Sequence, residues 1–258
     1  MKIEFKNTTV YFKTFGNGKA VVLLHGFLET SEMWQPFISE LSKNHQIIII
    51  DVLGHGKTGS ISKTHSMSLM ARTVNKVLKS LNIKKASMIG HSMGGYVALA
   101  FAEKYPEKII DLCLMNSTFE ADDDQKKQIR LRAVNMATNH YENLVRLSFI
   151  NLFSEESQKN FKTEINKALT TALDTSVKGF IAAQNGMLLR PDRFHIFKNI
   201  AGKKLMILGQ KDNLINHLHI KTKVKETDIN ITELSQGHMS HIEHKTELLE
   251  AIKNFLKN

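Results

Sequence analysis

The sequence predicts an α/β protein: a mostly parallel sheet flanked by helices, with an all-helical insertion late in the chain. Three observations lead there. Fully apolar runs that stop at glycine or aspartate, such as AVVLLHG (20–26) and QIIIID (46–51), alternate with amphipathic helical stretches. Residues 119–190 carry no strand pattern. The strand–helix rhythm then resumes at KLMILGQ (204–210).

Residues 2–6 and 9–15 alternate apolar and polar side chains and read as a strand pair, with a tight turn at Asn7. The run 20–26 reads as a buried parallel strand. Met33, Trp34, Phe37, Ile38 and Leu41 then recur at helical spacing, with Ser31 as the expected N-cap. Trp34 is better placed as a core residue of that helix face than as a pocket wall. Residues 46–51 form the next strand. Met70, Val74, Val77, Leu78 and Leu81 mark an amphipathic helix. ASMIG (86–90) is a strand, SMGGYVALAFAEKY (92–105) a helix, and IIDLCLMN (109–116) another strand.

The 119–190 segment reads as three or four helices, at about 122–138, 140–152, 155–171 and 175–189. Asp122, Asp123 and Asp124 open the first. Negative charge suits a helix N-terminus, and no calcium-loop spacing surrounds the trio. Residues 204–210 and 230–235 complete a set of eight strands. Leu248, Leu249, Ile252, Phe255 and Leu256 mark the closing helix.

A chain of 258 residues can bury one large core. It carries 35 Lys and Arg against 25 acids, a net charge of +10. The basic residues are scattered in pairs such as Lys84-Lys85, and no nucleic-acid motif accompanies them, so a solvated lysine-rich surface is expected rather than a nucleic-acid partner. Cys113 is the single cysteine, which excludes an intrachain disulfide and suits a reducing compartment; its apolar setting makes it an inert core residue. No apolar run approaches the roughly 18 residues of a membrane span, and the first residues do not resemble a signal peptide. A cytoplasmic protein is expected. The sequence does not fix an oligomeric state.

DVLGHGKTGS (51–60) contains two nucleotide-like patterns. Gly54-x-Gly56-x-x-Gly59 fits the dinucleotide fingerprint, but helical periodicity starts only near Ser66 and residues 52–102 hold no acid to bind a ribose. A P-loop ending in Gly56-Lys57-Thr58 would need glycine where Asp51 stands. The glycines are therefore expected to shape a turn at a strand end, and Lys57 to bind no phosphate.

The motif that carries chemistry is Gly90-His91-Ser92-Met93-Gly94-Gly95, a G-x-S-x-G between a buried strand and an apolar helix. A serine on that turn projects above the strand ends, where the following helix aims N–H groups. It needs a base and a group to orient the base. Asp212 follows the strand 204–210 and is a candidate for the orienting acid; otherwise it is a solvated turn aspartate. His238, His241 and His244 cluster after the last strand. His238 is preferred, because it follows Gly237 directly where a loop can reach Ser92. Zinc would need a rigid, polar-supported set of ligands that nothing near these histidines signals, so no metal is expected.

Together these stretches resemble the α/β-hydrolase family along nearly the whole chain. LLHGF (23–27) resembles its oxyanion loop. DVLGHGKT resembles its D-x-x-G-x-G-x-S loop, with Thr58 in place of serine. GHSMGG resembles the nucleophile elbow, GQKD the acid turn and GHMSHIE the histidine loop.

The resemblance implies an eight-stranded sheet core at 1–118 and 191–258 and a helical cap at 119–190. It implies a triad of Ser92, Asp212 and His238, and an oxyanion hole from the backbone N–H groups of Phe27 and Met93. No cofactor is implied. The expected activity is hydrolysis of a small to medium carboxylic ester or related carbonyl compound. Carbon–carbon bond hydrolysis, a lyase step of menaquinone synthesis or peracid formation on the same triad are the alternatives. A small-molecule receptor with residual hydrolysis is the alternative of another class. Serine at 92 argues against dehalogenases and epoxide hydrolases of this fold, which use aspartate there. Phe149, Leu152, Phe153, Phe161, Phe180, Met187 and Leu188 are the apolar residues the cap brings to a pocket or to its own packing.

Overall fold

The computed structural model describes residues 1–257. An antiparallel pair, β1 (Lys2–Phe5) and β2 (Thr8–Phe15), leads into β3 (Lys19–Leu24). A 3-10 turn (Ser31–Trp34) and α1 (Gln35–Leu41) connect β3 to β4 (His45–Ile50). Then follow α2 (Met67–Ser80), β5 (Ala86–His91), α3 (Met93–Lys104) and β6 (Ile109–Met115). Four helices come next: α4 (Asp124–Ile150), α5 (Glu155–Asn160), α6 (Lys162–Leu173) and α7 (Val177–Leu188). After α8 (Phe194–Lys198), the alternation resumes as β7 (Lys204–Gly209), α9 (His217–Val224) and β8 (Asn230–Leu234). A short α10 (Ser240–Glu243) and α11 (Lys245–Leu256) close the described chain.

The eight strands form one sheet in the order β1-β2-β4-β3-β5-β6-β7-β8. From β4 to β8 every pairing is parallel, so all these strands end on the same edge, and their loops gather there. The apolar runs are explained by burial on both faces. Val22, Leu24, Ile48 and Ile50 pack with α2 and α3, while Val21, Leu23, Ile47 and Ile49 pack with α1 and α11. Trp34 and Cys113 belong to the second of these layers, so Trp34 is core and not a pocket wall. Burial pushes the Cys113 thiol far up, which keeps it un-ionised. No helix among the described residues is long and apolar enough to cross a membrane.

Several local expectations are corrected. The first cap after β3 is Thr30, not Ser31: its hydroxyl accepts from Glu32 N–H at 3.3 Å because the turn starts one residue early. The helices expected at 122–138 and 140–152 stand as the two arms of α4, which meet at a kink at His140, where φ is −133° and the backbone is not helical. Conversely, the helix expected at 155–171 is divided at Phe161, whose φ of −118° breaks it into α5 and α6. The helix expected at 175–189 is α7, which starts at Val177 behind the Ser176 cap.

Of the three aspartates, Asp123 caps α4 by accepting from Lys126 N–H and Asp124 sits in the first turn. Asp122 differs. It is buried, and Arg130 (2.5 Å) and Arg190 (2.8 Å) both hold it. Burial alone would raise its pKa; the two guanidinium groups outweigh that and lower it. This cluster joins the start of the inserted helices to their end.

Candidate active site

The loops at the carboxyl edge of the sheet are built from residues with unusual backbone angles. Leu28 (φ 62°), Ser92 (φ 48°) and Asn116 (φ 43°) follow β3, β5 and β6 respectively, all in the left-handed region that non-glycine residues avoid. Ser92 also has ψ −116°, between the last residue of β5 and the first of α3. That turn is possible because α3 starts almost in contact with β5. A Cβ on Gly90 would come 2.4 Å from the Gly94 backbone, and one on Gly94 would come 2.4 Å from the Leu24 carbonyl oxygen. Ser92 remains partly exposed, and its carbonyl accepts from Ser117 Oγ at 2.8 Å.

Asp212 lies after β7 and His238 after β8. Asp212 Oδ2 meets His238 Nδ1 at 2.7 Å, both side chains being almost fully buried. The other Asp212 oxygen accepts from the N–H groups of Leu214 (2.8 Å) and Ile215 (3.1 Å). Burial would raise the Asp212 pKa, but His238 and these donors outweigh it and hold the carboxyl below its usual range. His238 Nε2 is the ring nitrogen left for chemistry, which is the tautomer a general base requires. No hydrogen bond joins it to the Ser92 hydroxyl among the described residues. The N–H groups of Phe27 and Met93 donate to no acceptor among the described residues.

His241 and His244 are placed elsewhere. His241 lies 3.6 Å from Glu29, and His244 Nε2 accepts from Gln236 N–H at 3.1 Å. The structure also brings in residues that sequence reasoning missed. Asn116 Nδ2 donates to Asp212 Oδ2 and to the Gly237 carbonyl, each at 3.2 Å, and its Oδ1 accepts from Ser240 Oγ at 2.7 Å. Glu243 accepts from the N–H groups of Gly237 (3.2 Å) and Met239 (3.0 Å), clamping the backbone on both sides of His238. Glu29 accepts from Gly26 N–H at 2.6 Å and bonds His91 Nδ1 at 2.7 Å. The available signal was positional: Asn116 and Glu29 stand just past the ends of β6 and β3, and Glu243 five residues past His238.

Glu29, His91 and His241 bring one potential metal-ligand atom each within 4.8 Å. Tetrahedral zinc would hold such atoms about 3.3 Å apart. The 2.7 Å between His91 and Glu29 instead fits a charge-assisted N–H···O hydrogen bond.

The glycine-rich loop is a brace. Gly54 and Gly56 have φ of 80° and 53°. Asp51 accepts from Ser31 N–H and Lys57 N–H, both at 2.8 Å, tying this loop to the one after β3. The Lys57 ammonium lies over the Tyr11 ring, 4.9 Å from its centre. The inserted helices reach the same edge: Phe180 of α7 meets Phe27 with ring centres 5.0 Å apart. His65 N–H donates to the Ala182 carbonyl at 2.8 Å, and Asn185 donates to the Lys63 carbonyl at 2.9 Å.

A family model described as alpha/beta hydrolase fold matches residues 19–245. The chain is 30% identical over 223 residues to a 2-hydroxy-6-oxononadienedioate/2-hydroxy-6-oxononatrienedioate hydrolase of Paraburkholderia phymatum, covering 80% of this chain and 75% of that one. A thermophilic esterase structure from Thermogutta terrifontis superposes with a TM-score of 0.91 at 25% identity, covering 99% of this chain and 97% of the other. A Mycobacterium bovis protein is 30% identical over 118 residues, a match that spans only 35% of its length and 45% of this chain.

Proposed function

The chain belongs to the alpha/beta hydrolase fold family, and from that premise we propose that it is a serine hydrolase of small to medium carboxylic esters. The observation that carries this reading is a partly exposed serine on a strained strand–helix turn, at the same sheet edge as a buried His238–Asp212 pair 2.7 Å apart.

In this reading Ser92 Oγ attacks the ester carbonyl carbon while His238 Nε2 takes its proton. Asp212 holds the ring tautomer and stabilises the imidazolium that forms. The oxyanion of the tetrahedral intermediate is held by Phe27 N–H and Met93 N–H, each contributing roughly 3 kcal/mol to barrier lowering. His238 then protonates the departing alkoxide. Water, activated by the same imidazole, releases the acid from Ser92. Every catalytic group in this reading is a protein group, water is the second reactant, and the substrate is a small molecule. Residues 1–118 and 191–258 form the catalytic core in this reading, and 119–190 a cap whose Phe180, against Phe27 of the loop after β3, supplies apolar surface near the acyl group.

The test is turnover of p-nitrophenyl esters of rising chain length, with a serine-directed phosphonate as a label. Ser92→Ala should lower kcat by at least about a thousandfold and abolish labelling while the fold is retained. Unchanged turnover in a folded Ser92→Ala variant sinks the assignment. Labelling of Ser92 with negligible ester turnover moves the reaction to the carbon–carbon hydrolysis or lyase chemistry that the same triad supports.

A further inference from the structure

We propose that His91 is a positioning residue for this reaction, held as an imidazolium that ties the loop carrying Phe27 to the loop carrying His238. The inference rests on the roles assigned above to Ser92, His238 and Phe27. Both ring nitrogens of His91 face acceptors. Nδ1 meets the Glu29 carboxylate at 2.7 Å, and Nε2 meets the His238 carbonyl oxygen at 3.0 Å. A neutral imidazole has one N–H and satisfies only one of them; the imidazolium satisfies both. The ring is fully buried, so an unmet acceptor would be costly.

The same Glu29 oxygen also accepts from Gly26 N–H at 2.6 Å. One carboxylate thus fixes the backbone just before Phe27 and orients His91. His91, immediately before Ser92, then holds the backbone of His238. A Cβ on Gly26 would lie 2.6 Å from that oxygen, 2.9 Å from His91 Nδ1 and 3.2 Å from Ser92 Cβ, so three machine parts converge on one point. The charge is balanced. The His91–Glu29 pair is net neutral, which limits its opposition to the imidazolium that forms on His238, 5.2 Å away ring to ring.

The other groups facing His91 agree with this. Burial would lower its pKa, but the Glu29 charge and hydrogen bond, then the His238 carbonyl and Asp212, outweigh burial and raise it above its ordinary value. Burial first, and then the nearby positive groups, push His241, 5.5 Å away, down to about 4 despite Glu29. Burial likewise keeps His25 neutral. Glu29 stays ionised, its carboxyl drawn down to about 2 by His91, His241 and His25 against the effect of burial. A raised histidine keeps its proton, and the link it makes, below the raised value and loses both as pH climbs through it. The link therefore fails on the alkaline side.

The charge state is read directly by ¹H–¹⁵N long-range NMR of the histidine rings in the intact protein at pH 7.5. Two protonated nitrogens on His91 are expected; a neutral tautomer overturns the inference whatever the enzyme turns over. The function is read from Glu29→Gln, which removes the counter-charge with little change of shape. Its kcat should fall about 10- to 100-fold with KM within about twofold, from misplacement of reacting groups. The alkaline limb of its kcat/KM profile should shift or vanish as His91 becomes neutral. A folded Glu29→Gln variant with the wild-type kcat and pH profile overturns the inference. Absence of ester turnover in the wild type overturns the proposed reaction instead, and the NMR result still judges the charge of His91.

Discussion

Three buried histidines, His25, His55 and His65, differ from a fourth, His91, in what faces the second ring nitrogen. His25 donates from Nδ1 to the Gly26 carbonyl and accepts at Nε2 from Val52 N–H. His65 repeats this with the Leu53 carbonyl and Ile61 N–H. His55 Nδ1 also reaches the Leu53 carbonyl, and its Nε2 has no partner among the described residues. Each needs one proton and no more. Burial lowers all three pKa values, that of His55 to about 3. His91 is as buried as these, yet its second nitrogen faces an acceptor, and its pKa moves the other way. Burial alone does not set the charge of a histidine; the group opposite its second nitrogen does.

The comparison can be broken at three places. The largest effect is expected at Asp212, the acceptor that fixes the His238 tautomer. Asp212→Asn keeps the shape and replaces a carboxylate by an amide, so kcat should drop by about 10³ to 10⁴ with the fold retained. Steady-state kinetics at the wild-type level would remove Asp212 from the proposed triad. Next is Asp51, the brace on the neutral side. Asp51→Ala strands the buried N–H of Ser31 and that of Lys57, which should cost about 2–4 kcal/mol in urea unfolding. A loss under about 1 kcal/mol would show that water or a rearranged loop replaces the carboxylate.

The smallest effect sharpens the contrast by pH. A histidine whose folded pKa is lowered leaves stability intact above its unfolded value of about 6.5. As pH falls below that, the unfolded chain takes up a proton that the native one refuses. Each such histidine then costs about 1.4 kcal/mol per pH unit. For His55 this loss continues toward about pH 3, and for His241 toward about pH 4. His55→Phe should change stability at pH 8 by under about 1 kcal/mol, since Nε2 has no bond to lose and the Leu53 carbonyl facing Nδ1 keeps its bond from His65, and should flatten the decline between pH 6 and 4. Urea midpoints at pH 8, 6 and 5 measure this; parallel wild-type and variant curves would mean that His55 is protonated in the native state.

The frame of the molecule was legible because burial on both faces of a parallel sheet writes itself as unbroken apolar runs. β3, β4, β5 and β7 stand where AVVLLHG, QIIIID, ASMIG and KLMILGQ place them. The helix α9 was not legible. HLHIKTKV buries only Ile220 and Val224, a single i,i+4 pair that leaves no periodic stripe. The kink of α4 at His140 was legible: the sequence reads as separate helices at 122–138 and 140–152, and the non-helical backbone at His140 lies where the second begins.

At the candidate site, the serine, acid and histidine were marked by turn glycines and strand ends. Glu29 and His91 are 62 positions apart, and their pairing depends on a third party, the His238 carbonyl. A backbone oxygen has no letter in a sequence. Asp122 is a second case: Arg130 meets it within the first turns of α4, but Arg190 only after four helices have folded back.

That fold-back has a consequence for how the chain is assembled and how it can change. Parallel neighbours β6 and β7 are joined through about ninety residues, where a single crossover helix would suffice with about a dozen. Loop-closure entropy rises only with the logarithm of length, so the detour costs the sheet roughly 2 kcal/mol beyond the shorter link. The delay falls on kinetics, since β6 and β7 cannot zip locally and must wait for a distant encounter. Because the thermodynamic toll is small and the Asp122 cluster pins both necks, the helices between them are free to lengthen, shorten or diverge in sequence. His238 and Asp212 would stay where the loops at the sheet edge hold them.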